Sequence, residues 1–524
     1  MHTTITCRRV ELGSRKVMAI RFTLACITVF LSACGGGGGG GGSSPSPISS
    51  VDFGTAKTID DSVAVRIKNA DSGMWLTIAG QSQAAGTFLD QAADTSTIDE
   101  SWHVMPMGGS SYNIENLLTH QVIGISAAST SAGARALQWA DNGTQDHLWT
   151  FYLLNDGNYL IRNSNSGLYL ETASSSGSTV IDQGARMTTG TACACQEWAL
   201  TITSDAAYPA PMAVMGSGVG VHDPNMLQAP DGTYWLYGTH NTLASSTDLS
   251  TFVSIANGDI NPDFSWWATE NTTAPGGRTD IWAPSVLAAN GTYYQYYSIP
   301  IYDTPSQAGT NDGPEAVIAL ATSASPTGPW TDAGQIVASC GNKSGCTTTF
   351  NAIDPAPFID SSGNWWMSFG SWEDGIHLLQ LDPATGKRLA SNTSENIIAS
   401  RPNVGEEGSF IFPYVIGGTQ YYFFFASINT CCNGTASTYR IIVGRSTAPT
   451  GPYIDRGGTN LTDGGGTILL SSHSNIYGPG GQSVMATNSA PLLVYHYYDG
   501  NANGVPKLGL NQLQFDSAGW PYVQ

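Results

Sequence analysis

Positive charge is scarce in this chain: 20 Lys and Arg stand against 40 Asp and Glu, a formal net charge of −20. A phosphate backbone needs a basic face, so this balance argues against nucleic acid as a partner. Charge of either sign is thin, at 11% of residues, and the helix formers Lys and Glu are among what is missing. A mainly helical protein is therefore disfavoured. The apolar run Phe22–Leu31 is too short to cross a membrane as a stable helix. Cysteine and histidine nowhere take zinc-site spacing. What is plentiful is Gly, Ser, Thr, Asn and aromatics, the composition of an all-β protein rich in turns. An acidic, lysine-poor, aromatic-rich surface suits a neutral polyhydroxylated ligand, and equally suits plain solubility outside the cell. With 524 residues, two or three domains are expected.

Residues 1–34 read as an export signal. Arg21 precedes the apolar run, and Leu31-Ser-Ala-Cys34 followed by glycine resembles a bacterial lipobox, in which Cys34 would be lipidated and become the mature N-terminus. Ordinary signal cleavage nearby is the alternative. A lipidated end anchors a protein without spanning the membrane, giving an exported cell-surface or outer-membrane lipoprotein, or a secreted one if Cys34 is not modified. Residues 35–50, glycine-rich and then Ser/Pro-rich, form a flexible tether. Of nine cysteines, six lie beyond the leader: Cys193, Cys195, Cys340, Cys346, Cys431 and Cys432. Six allow 15 pairings; Cys340 with Cys346 would close a short loop, and adjacent Cys431 and Cys432 would form a vicinal bridge or pair elsewhere.

Residues 51–205 hold a threefold repeat. Ile67-Lys-Asn69, Ile114-Glu-Asn116 and Ile161-Arg-Asn163 open the units, and Trp102, Trp149 and Trp198 close them. Three all-β units of about 47 residues predict a β-trefoil. The closing tryptophans, in Asp146-His-Leu-Trp149 and more closely Gln196-Glu-Trp198, resemble the Gln-x-Trp signature of ricin B-type lectins. They are expected in the core; sugar binding, which the resemblance implies, would use groups such as Trp75, Trp139 or Tyr169. A short linker, 205–214, follows.

From 215 to 524 a turn followed by an aromatic strand recurs five times. The strands begin at Tyr234, Tyr293, Trp365, Tyr421 and Leu492, after turns such as Asp231-Gly and Asn290-Gly. That spacing suits a four-stranded blade, so a five-bladed β-propeller is expected. An acid precedes four of the five strands: Asp223, Asp280, Asp354 and Glu407. On equivalent innermost strands these carboxylates would converge on the axis, where like charges raise at least one pKa. Glu406 competes with Glu407, because neighbouring strand residues face opposite ways.

The motifs Val221-His-Asp-Pro224, Ile281-Trp-Ala-Pro284, Asn351-Ala-Ile-Asp-Pro355, Glu407-Gly-Ser-Phe-Ile411 and the run Cys431–Ser446 followed by Thr450-Gly-Pro-Tyr453 resemble, in order, glycoside hydrolase family 43 and its arabinanase-like branch. The resemblance spans about 300 residues, from Gly220 to the C-terminus. It implies inverting hydrolysis of α-1,5-linked arabinan or a related arabinose-containing plant polysaccharide. Asp223 would be the general base, Glu407 the general acid, and Asp354 the residue that raises the acid's pKa and orients it. Inversion needs two carboxyls in different protonation states, roughly 6.5–9.5 Å apart, to admit a water. Trp282, Asp280 and His222 would contact substrate, with Trp366 or Tyr293 as further stacking faces. No cofactor is required for the chemistry. The arabinanase branch carries Gly-Pro-Gly-His in its fifth blade, and the histidine helps to hold a metal ion, often calcium; here the sequence is Gly478-Pro-Gly-Gly-Gln482, leaving Gln482 as the residue to stand in. Rival readings are an exo-acting α-L-arabinofuranosidase or β-xylosidase, and a non-catalytic carbohydrate-binding lipoprotein.

Overall fold

The computed structural model describes residues 51–173, 179–188, 192–256, 259–260, 280–300, 316–340, 347–401 and 404–524. Cys34, the leader and the tether therefore lie outside the described residues. Those that are described form strands, turns and short 3-10 segments, and no described helix is long and apolar enough to cross a membrane.

The N-terminal half is the expected trefoil. Six strands close a barrel: Val63–Asn69, Ser101–Pro106, Tyr112–Asn116, Trp149–Leu153, Tyr159–Asn163 and Trp198–Ala206, each paired antiparallel to the next and the last to the first. Three hairpins cap it: Trp75–Ile78 with Leu89–Ala92, Val122–Ile125 with Ala136–Trp139, and Tyr169–Thr172 with Ile181–Gly184. Its repeat has a physical cause. Trp102, Trp149 and Trp198 are fully buried, and their indole N–H groups donate to the carbonyls of Leu76, Ile123 and Leu170 at 3.2, 3.0 and 3.0 Å. The amides of Asn69, Asn116 and Asn163 donate to the carbonyls of Cys195, Asp99 and Asp146, while their side-chain oxygens accept backbone N–H groups of the following turn. Each asparagine thus starts a turn and ties one unit to the end of its neighbour.

Two of the three aromatics expected to meet sugar are otherwise engaged. Trp75 is buried, with the Arg66 guanidinium 4.0 Å above its ring, and the Trp139 ring lies against Gly86. Tyr169 is half-buried. Residues 205–214 are less free than a linker implies. Tyr208 is buried, its hydroxyl donates to Glu115 Oε1 at 2.6 Å, and the Met212 N–H donates to the Leu510 carbonyl. Cys193 bonds to Cys195 and Cys431 to Cys432. Cys340 is also in a disulfide; Cys346, its expected partner, lies outside the described residues.

The C-terminal half is five four-stranded antiparallel sheets. Blade I is Asn225–Gln228, Tyr234–Gly238, Thr242–Ser246 and Val253–Ser254; blade II is Trp282–Ala289, Thr292–Pro300, Ala316–Ser323 and Thr331–Ala338. Blade III is Ala356–Ile359, Trp365–Phe369, Ile376–Leu381 and Asn396–Ala399. Blade IV is Glu406–Ile416, Thr419–Ile428, Arg440–Ser446 and Thr467–Leu470, and blade V is Ile476–Met485, Leu492–Asp499, Val505–Phe515 and Pro521–Val523. The first strand of each blade is innermost. The aromatics that opened the sequence repeat begin the second strands, at the end of each blade remote from the axial acids. There they pack between blades, as Tyr294 does edge-on against Trp365 with centroids 5.0 Å apart. Trp366 binds Asp360 in its own hairpin turn and Tyr293 packs beside Trp235, so neither reaches the acids. The trefoil packs on blades IV and V, where Met105 and Val122 join the core that contains Phe424, Ile442 and Leu493.

Candidate active site

One residue at the mouth of each innermost strand takes a left-handed backbone: Asp223 (φ 49°), Ala283 (41°), Asp354 (57°), Gly408 (59°) and Gly481 (56°). These five, each with the two residues after it, line one axial cavity. Each of their N–H groups is held by a side chain of the preceding blade. Ala283 donates to Thr239 Oγ1 at 2.9 Å, Asp354 to Ser298 Oγ at 3.0 Å, Gly481 to Ser427 Oγ at 2.8 Å and Asp223 to His496 Nδ1 at 3.1 Å. In blade III the matching position is Gly370, which has no side chain, and the Gly408 N–H goes instead to Asp354 Oδ2 at 2.9 Å. A left-handed backbone costs a non-glycine residue free energy, and this ring of bonds holds Asp223, Ala283 and Asp354 in it.

That register corrects the expectation of four equivalent acids. Asp223 and Asp354 occupy the axial position itself. Glu407 stands one residue before Gly408, beside a bulge between Glu407 and Phe410; it is not one of the lining residues, but its charge still acts on Asp354. Asp280 stands three residues before Ala283. It lies at the rim, 37% exposed, accepting from Trp282 Nε1 at 2.8 Å and sitting 2.7 Å from His240 Nδ1. The same one-residue bulge occurs in blades II, IV and V, so Trp282, one residue before Ala283, takes the place that Glu407 has in blade IV, and Asp280 falls two residues short of it. Glu406 and Glu407 do face opposite ways. Glu407 accepts from Ser371 Oγ at 2.5 Å and from the Tyr439 hydroxyl. Glu406 is buried behind the strand toward Arg401, with no hydrogen-bond donor on either carboxylate oxygen among the described residues.

The three central carboxyls have divergent environments. Burial pushes Asp354 well above the ordinary range, and the charges of Glu407 and Asp223 push it further, against the Gly408 N–H. Burial likewise raises Glu407 to about 7, with the charge of Asp223 adding and Ser371, Trp372 and His222 opposing. For Asp223, burial is outweighed by the bond and charge of His222, by His496 and by the Thr239 hydroxyl 2.6 Å away, so it is held well below the usual range. Near neutral pH the cavity therefore holds Asp223 charged, while Glu407 and Asp354 cannot both ionise. One ionised carboxylate faces one that keeps a proton, which is what acid–base cleavage of an acetal needs.

His222 sits 3.6 Å from Asp223, bonds to the Tyr498 hydroxyl at 2.9 Å and stacks on His496 with centroids 3.9 Å apart. Burial pushes His496 down to about 3, leaving it neutral as acceptor of the Asp223 N–H. Gln482 is spoken for at both ends: its oxygen accepts from Ser427 and its amide donates to the Gly408 carbonyl. It has little to offer a cation. At Gly481 a Cβ would lie 2.5 Å from Asp223 Oδ1 and 2.7 Å from His496 Nδ1, so a histidine there does not fit this cavity. His222, Asp223 and His496 bring three donor atoms within 4.8 Å of one another. One carboxylate and two imidazoles are a poor match for calcium, which takes six to eight oxygens. Sequence reading missed Trp372, Ser371, Tyr439, Thr239, His496 and Tyr498. Trp372, Ser371, Thr239 and Tyr439 lie between the second and third strands of their blades and His496 and Tyr498 within the second strand of blade V, and the available signal was the small or polar residue that ends an aromatic run.

Comparison with known proteins agrees with this geometry. Residues 218–521 match the model of glycosyl hydrolases family 43, and residues 53–139 match that of ricin-type β-trefoil lectin domain-like proteins. The extracellular endo-α-(1→5)-L-arabinanase 1 of Bacillus subtilis is 38% identical over 323 residues, which is 60% of this chain and 91% of that protein. The solved endo-arabinanase of Bacillus licheniformis is 38% identical, with TM-score 0.50 over 59% of this chain and 99% of its own. The Cellvibrio cellulosa α-L-arabinanase complexed with arabinohexaose is 29% identical, with TM-score 0.51 over 58% of this chain and 96% of its own. With 304 residues matched in one family and the acids gathered on the axis of its five blades, the chain belongs to glycosyl hydrolases family 43.

Proposed function

We propose that this protein is an arabinan endo-1,5-α-L-arabinosidase that cleaves its substrate with inversion. The observation that carries the reading is the cavity holding Asp223 below the ordinary carboxylate range beside Glu407 raised to about 7. The arabinanase relatives supply the substrate class. Asp223 is the general base: charged and fixed by Thr239 and His496, it takes a proton from water as that water attacks the anomeric carbon. Glu407 is the general acid, giving its proton to the leaving oxygen; Ser371 and Tyr439 hold it in place. Asp354 keeps a proton in the Glu407 pair and orients the Gly408 turn through the N–H bond. Trp282 at the rim, steadied by Asp280, and the 43% exposed Trp372 offer apolar faces to furanose rings.

The protein is exported, as the leader and the extracellular relative support, and we place its anchor at lipidated Cys34. The trefoil binds carbohydrate, with half-buried Tyr169 and Trp139 more accessible than buried Trp75. The deciding experiment is a product profile on debranched arabinan, xylan and aryl-glycosides. Soluble arabino-oligosaccharides from arabinan alone are expected, absent in Asp223→Ala and Glu407→Gln. Arabinose as sole product would make the enzyme exo-acting, and binding without turnover on any pentosan would overturn the hydrolase.

A further inference from the structure

Arg440 begins the third strand of blade IV, yet its side chain belongs to the trefoil. It is 1% exposed, with Nη1 3.2 Å from Asp141 Oδ2 and Nη2 donating to Asn113 Oδ1 at 2.9 Å. The sulfurs of Met105 and Met107 complete its surroundings. Asp141 is 2% exposed and its other oxygen accepts the Gly143 N–H at 3.1 Å. One residue earlier, Tyr439 points the opposite way. Its ring packs on Gly480 beside the axis, and its hydroxyl donates to Glu407 Oε1. Adjacent residues of an extended chain face opposite sides, so this single step of backbone joins a buried ion pair between domains to a hydrogen bond on the candidate acid. The same alternation recurs at Glu406 and Glu407. Glu406 looks back toward Arg401, which also feels the charge of Asp141.

We propose that Asp141 is a positioning residue for the hydrolase: by fixing Arg440, the trefoil fixes Tyr439 and, through it, Glu407. The proposal rests on the reading of Glu407 as general acid. A buried guanidinium stripped of its counter-charge moves toward water rather than staying in place. Any part of that movement that reaches the Arg440 backbone is passed to Tyr439, the adjacent residue of the chain. The trefoil is then part of the catalytic apparatus and not only a module that captures glycan.

The test uses the full-length chain and aryl arabino-oligosaccharides with a poor leaving group (phenyl) and a good one (dinitrophenyl). Asp141→Asn is expected to lower kcat about tenfold on the phenyl substrate with KM within about twofold, and to spare the dinitrophenyl substrate, which needs little acid assistance. In a Tyr439→Phe background the same change is expected to cost nothing further, because the two act through one bond. Losses that simply add, or that fall equally on both substrates, would overturn the proposal. Glu407→Gln run alongside checks the underlying reading: if it fails to favour the dinitrophenyl substrate, the acid is misassigned. If it does favour it and Asp141→Asn is silent, only the inference falls. Should Asp141→Asn fold poorly, Asp141→Leu combined with Arg440→Met removes both buried charges, and the same leaving-group pattern is expected from the untethered Tyr439.

Discussion

In the trefoil, the asparagine that opens each unit and the tryptophan that closes it recur three times with one set of bonds. Around the propeller axis one backbone conformation recurs five times, but the residues holding it are Asp, Ala, Asp, Gly and Gly. Where side chain and backbone repeat together, the residue serves packing. Where the backbone repeats and the side chain does not, the fold supplies equivalent positions and chemistry uses them unequally. The two glycines illustrate this. Gly481 leaves room for Asp223 and His496, whereas at Gly408 a Cβ would meet nothing nearer than 3.5 Å and the glycine supplies the left-handed backbone beside Glu407.

The comparison is broken most severely at the two axial acids. Asp223→Ala is expected to lower kcat on soluble arabino-oligosaccharides by about 10²–10⁴-fold. Its melting temperature should fall only modestly: the depressed pKa shows that His222, His496 and Thr239 favour the charge, and that support is lost with the side chain. A loss of stability matching the loss of rate would make Asp223 a structural residue like the trefoil asparagines. The wild-type pH profile belongs with this test. Activity needs Asp223 charged and Glu407 protonated, so it rises through the depressed pKa of the first and falls through that of the second, near 7. A profile level through mildly acidic pH with a falling limb above about 7 is expected, and a limb above about 9 would be incompatible with it.

Trp198→Ala, on the other side of the comparison, should cost about 3–5 kcal/mol of stability by calorimetry, the range for emptying a fully buried aromatic site. A much smaller loss would mean that the threefold repeat is not what holds the barrel. Gly481→Ala comes next. The new Cβ would press on Asp223 Oδ1 and His496 at a left-handed backbone position, and displacing the base by a fraction of an ångström is expected to reduce kcat by about a hundredfold. Unchanged kcat would show that the base tolerates displacement and that its backbone clamp is incidental.

Much of this was legible in the sequence, for a physical reason. Repeats advertise themselves because each unit must bury the same face, so Asn69, Asn116 and Asn163 and the closing tryptophans located the barrel, and five aromatic runs counted the blades. The axial register was harder to read. Offsets from acid to aromatic differ by two or three residues, and only the left-handed position in each blade says which differences matter. Ser371 and His496 were invisible because each reaches an acid of the next blade, and Tyr439 because it reaches Glu407 across the strands of blade IV rather than along the chain. The roles of Trp75 and Trp139 were masked by Arg66 and Gly86, neighbours in space that composition does not reveal.

The smallest effect is expected at Asp280, and it tests how far the axial position alone confers function. Spacing had grouped Asp280 with the three central acids, yet it stands outside the ring, exposed at the rim and shared between His240 and Trp282. If its role is to steady the Trp282 ring against a furanose, Asp280→Asn still accepts the indole N–H and should raise KM by no more than about threefold with kcat unchanged, since a partly exposed polar contact is worth roughly 1 kcal/mol or less. Asp280→Ala removes the acceptor and should raise KM further on oligosaccharides long enough to reach the rim, while leaving shorter ones alone. A fall in kcat on the shortest substrates would return Asp280 to the catalytic set and would mean that the charge of an acid outside the ring still reaches the reacting centre.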